Sequence, residues 1–217
     1  MHAQALARLR DRLRRRRRPR PAHALIVSPR RSTVIAKDGG VRSAQLAKLT
    51  MDARDLERLW VKPNLEKLAR TYWRFLSRVT LGLIRVVYDH DARSVVFLIR
   101  PLTLLRFDPP EYLAEHDRGC VTWRIRDGLL VARAGHRSGF LRIDVRRLTE
   151  PDAAAPGMAA LRIEVEVANF YPSIAAGLST PVYEMTQSAL HVLVTHAFLR
   201  SLANLDLAES KVGSLGG

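Results

Sequence analysis

The chain of 217 residues has one cysteine, Cys120. An internal disulfide is therefore excluded, and so is a metal cluster built on cysteines; such a chain suits a reducing cytosol. Long apolar runs are also missing. A secretory signal needs an apolar core of roughly 7–15 residues, and Ala24–Val27 is far shorter. A membrane-spanning helix needs about 20 such residues. Ala189–Leu199 falls short of that, and the stretch around Val79–Phe107 is broken by Arg85, Asp89, Asp91, Arg93 and Arg100. The expectation is a soluble, cytoplasmic protein. Catalytic signatures are absent too: there is no HExxH, no CxxC, no glycine-rich phosphate loop and no GxSxG. No metal or other cofactor is expected.

The charge is large and uneven. The formal net charge is +15, and residues 1–20 carry nine arginines against the single acid Asp11. More than half of the excess thus sits in a short tail. The 36 basic residues divide into 31 Arg and 5 Lys, a bias that GC-rich coding would produce. Individual arginines therefore need no functional explanation. Residues 1–22 read as a disordered cationic arm, because the adjacent charges of Arg14–Arg18 repel one another and Pro19 and Pro21 stop a helix. Leu6, Leu9 and Leu13 are spaced for a short amphipathic turn on contact. The arm's charge would reward weak contact with nucleic acid or an anionic membrane, though it has no interleaved aromatics on which bases could stack. A single domain over 23–207 and a flexible tail over 208–217 complete the expected organisation. At 47% hydrophobic, this length can bury one core.

Short strands are expected at Ala24–Val27 and Thr33–Ala36, then a break at Lys37–Gly40. A helical region should follow, with Thr50 as N-cap, Asp52 in its first turn and a restart at Pro63. Leu65, Leu68, Ala69, Tyr72, Phe75, Leu76 and Val79 recur at helical spacing, which marks an amphipathic helix. Leu83–Tyr88 and Ser94–Arg100 read as a hairpin. Leu102–Phe107 reads as a third strand, ended by Asp108-Pro109-Pro110, and 111–118 as a polar connection with one helical turn.

The alternation then sharpens. Val121, Trp123 and Ile125 alternate with Thr122, Arg124 and Arg126. Asp127-Gly128 is a hairpin-turn signal, with Leu129–Ala134 expected to run back and Gly135–Gly139 to turn again. Leu141, Ile143 and Val145 alternate with Arg142, Asp144 and Arg146; Leu161, Ile163, Val165 and Val167 alternate with Arg162, Glu164 and Glu166. An antiparallel sheet with one apolar and one charged face follows. Pairing of the last two strands would give cross-strand ion pairs, each worth at most about 1 kcal/mol.

A terminal helix is expected from Thr180 to Leu205, opened by Thr180-Pro181 and apolar on nearly all sides. Tyr183, Gln187, His191 and Thr195 form a polar stripe at i+4 steps along it. Two explanations stay open: the stripe faces a cavity and a ligand's polar end, or it marks a solvent edge or bonds to loop backbone. His116-Asp117, Asp89-His90-Asp91 and Gly135–Gly139 read as ordinary turns.

The segment Ala168-Asn169-Phe170-Tyr171-Pro172, followed by Gly177-Leu178, Tyr183 and His191, resembles the carboxy-terminal signature of START-like proteins of the SRPBCC superfamily. Trp123-Arg124-Ile125, Leu129-Leu130 and Gly139-Phe140-Leu141 are similar to that family's central strands in order and spacing. The resemblance covers roughly residues 80–205; the cationic arm and the helical region before the sheet depart from it. It implies a helix-grip fold: an α+β chain whose curved antiparallel sheet wraps a long C-terminal helix, with a hydrophobic ligand cavity between them. The leading expectation is thus a non-catalytic protein that binds an apolar small molecule or lipid. Val121, Trp123, Ile125, Ile143, Ile163 and Val165 would form the walls, and Tyr183, Gln187 and His191 the polar contacts. The alternatives are a START-like cyclase or hydrolase on an aromatic or polyketide-like substrate, with His191 or Tyr183 as acid or base, and an arm-mediated tether.

Overall fold

A computed structural model describes residues 22–27, 33–38, 40–81, 84–88, 93–97, 103–148, 156–171, 194–199 and 201–202. Ten strands among them form one antiparallel sheet: β1 (Ala22–Ile26), β2 (Thr33–Ile35), β3 (Val41–Asp52), β4 (Ile84–Tyr88), β5 (Arg93–Phe97), β6 (Thr103–Phe107), β7 (Glu111–Ala114), β8 (Arg118–Asp127), β9 (Phe140–Leu148) and β10 (Met158–Phe170). The order across it is β1-β3-β10-β9-β8-β6-β5-β4, with β2 also on β3 and β7 also on β8. Two helices, α1 (Ala53–Leu59) and α2 (Lys62–Val79), link β3 to β4. Residues 194–199 and 201 are helical, as expected of the terminal helix; the rest of that expected helix lies outside the described residues, as do the arm over 1–21 and the tail over 208–217. Ala22, placed in the arm by sequence, is the buried first residue of β1.

The helical region expected to open near Thr50 begins later. Residues 41–52 are instead a 12-residue strand in the body of the sheet, paired with both β1 and β10. Its inward positions are Ser43, Gln45, Ala47, Leu49 and Met51, all buried. Two polar side chains and an alanine on the inner face blur the alternation that marks a strand. The N-cap of α1 is Asp52, not Thr50, and its Oδ1 accepts from the Arg54 backbone N–H at 2.8 Å.

α2 starts where Pro63 predicts and lays Leu65, Leu68, Ala69, Tyr72 and Phe75 on the sheet, with Thr71 and Trp73 also buried. Proline at N1 or N2 loses only an N–H that has no partner inside the helix.

Two further expectations are corrected. Residues 111–114 form β7, antiparallel to β8, rather than a helical turn. β6 and β7 both run along β8, and Asp108-Pro109-Pro110 interrupts them because proline has no N–H to give the ladder. Leu129–Ala134 does not run back as a strand. The backbone N–H groups of Leu129 and Leu130 donate to Thr103 and Leu104 of β6, and a 3₁₀ turn follows at Arg133–Gly135. Gly128 is pressed against β6 with φ +143°, and a Cβ there would lie 2.3 Å from the Leu104 carbonyl oxygen. The sharp bend onto β6 displaces the expected hairpin.

The outer sheet face is charged, as alternation requires. Arg142 and Glu166 face each other directly, and Arg42 shares the same carboxylate at 2.7 Å. The next two cross-strand positions oppose like charges, Glu164 to Asp144 and Arg162 to Arg146, so pairing there runs along the strands: Arg146 to Asp144 at 3.0 Å and Arg162 to Glu164 at 3.2 Å. Arg118 adds two hydrogen bonds to Asp144 Oδ2 from the neighbouring strand, at 2.9 and 2.5 Å. Burial by itself would raise the Asp144 pKa, but the bonds from Arg118 and Arg146 outweigh it and hold the carboxyl below its ordinary value.

Candidate functional site

The registers lay the inner face out in rows across β3, β10, β9 and β8. One row reads Ser43, Val167, Leu141, Trp123; the next, Gln45, Val165, Ile143, Val121; the third, Ala47, Ile163, Val145, Gly119. Side-chain volume falls along β8 from Trp123 through Val121 to Gly119. That gradient divides the space under the helices into a filled part and a hollow one.

The filled part is aromatic. Trp73 of α2 meets Trp123 at 5.1 Å and Phe107 at 5.3 Å between ring centroids. Tyr72 packs edge-on against Trp73 and against Phe198 of the terminal helical segment. Such pairs contribute roughly 0.5–1.5 kcal/mol each beyond their burial. The hollow part is a cavity of about 270 Å³ beneath the junction of α1 and α2. Leu49, Met51, Val145, Leu161 and Ile163 form its sheet side, Leu56, Leu59, Leu65 and Leu68 its helix side, and Leu202 contributes from the end of the terminal segment. Gly119 borders it, and a Cβ placed there would meet only the Leu65 methyls, at 3.6 and 3.8 Å.

The rim is polar. It is made by Trp60, Val61, Lys62 and Asn64 at the α1–α2 junction and by Ala114, Glu115 and Arg118 around the β7–β8 turn. Trp60 Nε1–H donates to the Glu115 carbonyl at 3.0 Å, joining the two lips. The Arg147 guanidinium lies 4.5 Å from the centroid of the Trp60 ring and pairs with Glu57 at 2.5 Å. That bond from Arg147 holds the Glu57 carboxyl below its ordinary pKa.

A second polar group lies inside the core. Gln45 is fully buried on β3, and its Oε1 is 2.9 Å from His196 Nε2. Thr195 is also fully buried, and its hydroxyl lies against the Tyr72 phenol; Trp73 Nε1 has no hydrogen-bond partner among the described residues. Tyr72 sits beside Thr195, and burial pushes its phenol pKa up to about 12, an effect that Thr195 partly offsets. A phenol in that state stays protonated through the physiological range.

Of the wall residues expected from sequence, Ile163 lines the cavity. Val121, Trp123, Ile125, Ile143 and Val165 are buried in the core cluster and are not among the lining residues. Tyr183, Gln187 and His191 lie outside the described residues, and with them the histidine and tyrosine on which an acid–base reading would rest. The fourth member of that stripe, Thr195, faces the interior rather than a solvent edge. The rim residues Trp60, Lys62 and Glu115 were missed by sequence reasoning. The available signal was Gly119, since a glycine within a strand often marks a close approach or an unfilled place. Among the described residues no group of His, Cys, Asp and Glu could hold a metal ion, and no helix is long and apolar enough to cross a membrane.

The fold is therefore an α+β helix-grip arrangement, a ten-stranded antiparallel sheet with helices on its apolar face, built around a partly hollow core. No family model and no curated protein matches the sequence. Solved structures with similarity to the chain include norcoclaurine synthase from Thalictrum flavum, at 13% identity over 79% of this chain and 98% of that one, with a TM-score of 0.31. Human STARD10 is similar at 9% identity over 90% and 78% of the two chains, with a TM-score of 0.32. Ara h 8.0201 is similar at 12% identity over 76% and 100%, with a TM-score of 0.31. The chain's own strand order and the helices on the apolar face define the fold.

Proposed function

We propose that the protein binds an apolar small molecule in the cavity between the sheet and helices α1 and α2, and that it does so without catalysis. The observation that carries this reading is the cavity itself: about 270 Å³ of space lined by leucine, isoleucine, valine and methionine, with polar groups confined to one rim. An apolar void of that size is costly to leave empty, because the side chains around it lack contacts on one side. A ligand restores those contacts. Its size can be bounded. An apolar cavity of about 150 Å³ accommodates benzene, roughly 25 Å³ per carbon, so this one accommodates about ten to eleven carbons.

Tyr183, Gln187 and His191 are proposed as additional polar contacts. The support is at Thr195, four residues beyond His191 in sequence, a polar side chain that is fully buried beside Tyr72. The test is native mass spectrometry of the freshly purified chain, together with thermal melts in a series of straight-chain amphiphiles of six to sixteen carbons. A co-purifying hydrophobe is expected. A chain near ten carbons, at a hundred times its Kd, should stabilise the fold by about 2.7 kcal/mol. For a domain of this size that raises Tm by roughly 5–10 °C. A chain that emerges empty and whose melt no member of the series shifts would overturn the reading.

A further inference from the structure

We propose that the ligand is a single-chain amphiphile with an anionic head, and that Lys62 holds this head at the rim. The inference rests on the cavity reading above and adds the chemical class.

Among the described residues, three ionisable side chains border the cavity: Lys62, Glu115 and Arg118. Arg118 is committed elsewhere, since its Nε and Nη2 both donate to Asp144 Oδ2 on the outer sheet face. Glu115 lies near enough to Arg118 to help keep that guanidinium charged. Lys62 makes no ion pair or hydrogen bond from its side chain among the described residues, and it is exposed. Among the described residues it is therefore the rim cation without a counter-ion. Its four-carbon stem can lie along the apolar lip beside Val61 while the ammonium reaches a head group in water.

The local field has the same sign. Lys62 begins α2, an 18-residue helix with no side-chain cap at its N-terminus and no acid in its first turn. No capping side chain and no first-turn acid offsets the partial positive charge of that end, which reinforces the preference that Lys62 sets.

Size and sign together define the class. Space for about ten carbons matches one chain better than two, and a cation at the rim disfavours a cationic head. A medium-chain carboxylate meets both requirements: chain buried, head solvated and paired.

The experiment is isothermal titration of the full chain with decanoate, 1-decanol and decylamine at pH 8 and low salt, repeated with Lys62→Gln. The exposed position of Lys62 leaves the fold undisturbed, which circular dichroism verifies. Wild type is expected to bind decanoate up to about fivefold more tightly than decanol, the range of an exposed ion pair, and decylamine most weakly. Lys62→Gln should erase the decanoate advantage and leave decanol unchanged, and 0.5 M salt should do the same to wild type. Equal binding of decanoate and decanol by wild type would overturn the inference while leaving the cavity reading intact. So would tighter binding of decylamine, or a Lys62→Gln loss shared equally by all three ligands. Binding of none of them would overturn both.

Discussion

Gly119 offers a direct test of why the core is hollow. It occupies an inward position on β8, two inward places from Trp123, and it borders the cavity. Its φ is not in the left-handed region, so a side chain costs no backbone strain, and the first carbon added would touch Leu65 at 3.6 Å, an ordinary contact. Gly119→Ala should therefore stabilise the fold. The buried methyl contributes about 0.8 kcal/mol and the reduced freedom of the unfolded chain about 0.5 kcal/mol. The sum raises Tm by roughly 3–5 °C in a melt followed by circular dichroism. Gly119→Leu goes further. Four carbons at roughly 25 Å³ each occupy about 100 Å³, more than a third of the 270 Å³ present. The space left suits about six or seven carbons, so the best-bound chain in a titration series should shorten from about ten to about six. A destabilised Gly119→Ala would mean that the space is not there. An unchanged chain-length optimum in a folded Gly119→Leu would place the ligand elsewhere.

Two further outcomes follow from other parts of the fold. Asp144, held below its ordinary pKa of 3.8 by Arg118 and Arg146, adds stability that is fully present above about pH 4 and is lost as pH falls through its lower folded value. Urea unfolding should accordingly show Asp144→Asn about 1–3 kcal/mol less stable than wild type at pH 7, with the gap narrowing at pH 3; an equal gap at both would refute the ion-pair account. Gly128→Ala should cost about 3 kcal/mol or more, because φ +143° is closed to alanine and the new Cβ would fall 2.3 Å from the Leu104 carbonyl oxygen. An unchanged denaturation midpoint would mean that the approach of residue 128 to β6 is wrong.

Much of the architecture was legible because two-residue and helical periods leave their mark directly on the chain. The alternation in β8, β9 and β10 identified the apolar face, and the spacing from Leu65 to Phe75 identified the face that α2 buries. β3 escaped because its inward side chains include Ser43 and Gln45. Those polar groups have partners only in the folded chain, Gln45 through His196 and Ser43 through Thr33. β7 escaped because a short run after two prolines has too little pattern of its own. It is a strand only by virtue of β8 beside it.

The sequence by itself determined which residues turn inward, and so that Val121, Trp123, Ile125, Ile143, Ile163 and Val165 would be buried. Burial is a property of one strand's own periodicity. Whether a buried residue meets a neighbour or an empty space depends on what the other elements place opposite it, and only the tertiary structure decided that. Trp73 packs on Trp123, with Phe107 and Tyr72 against Trp73 in turn, while the α1–α2 junction spans the space over Gly119 without filling it. The cavity, its polar rim and the position of Lys62 are consequences of how three separate stretches of chain come together.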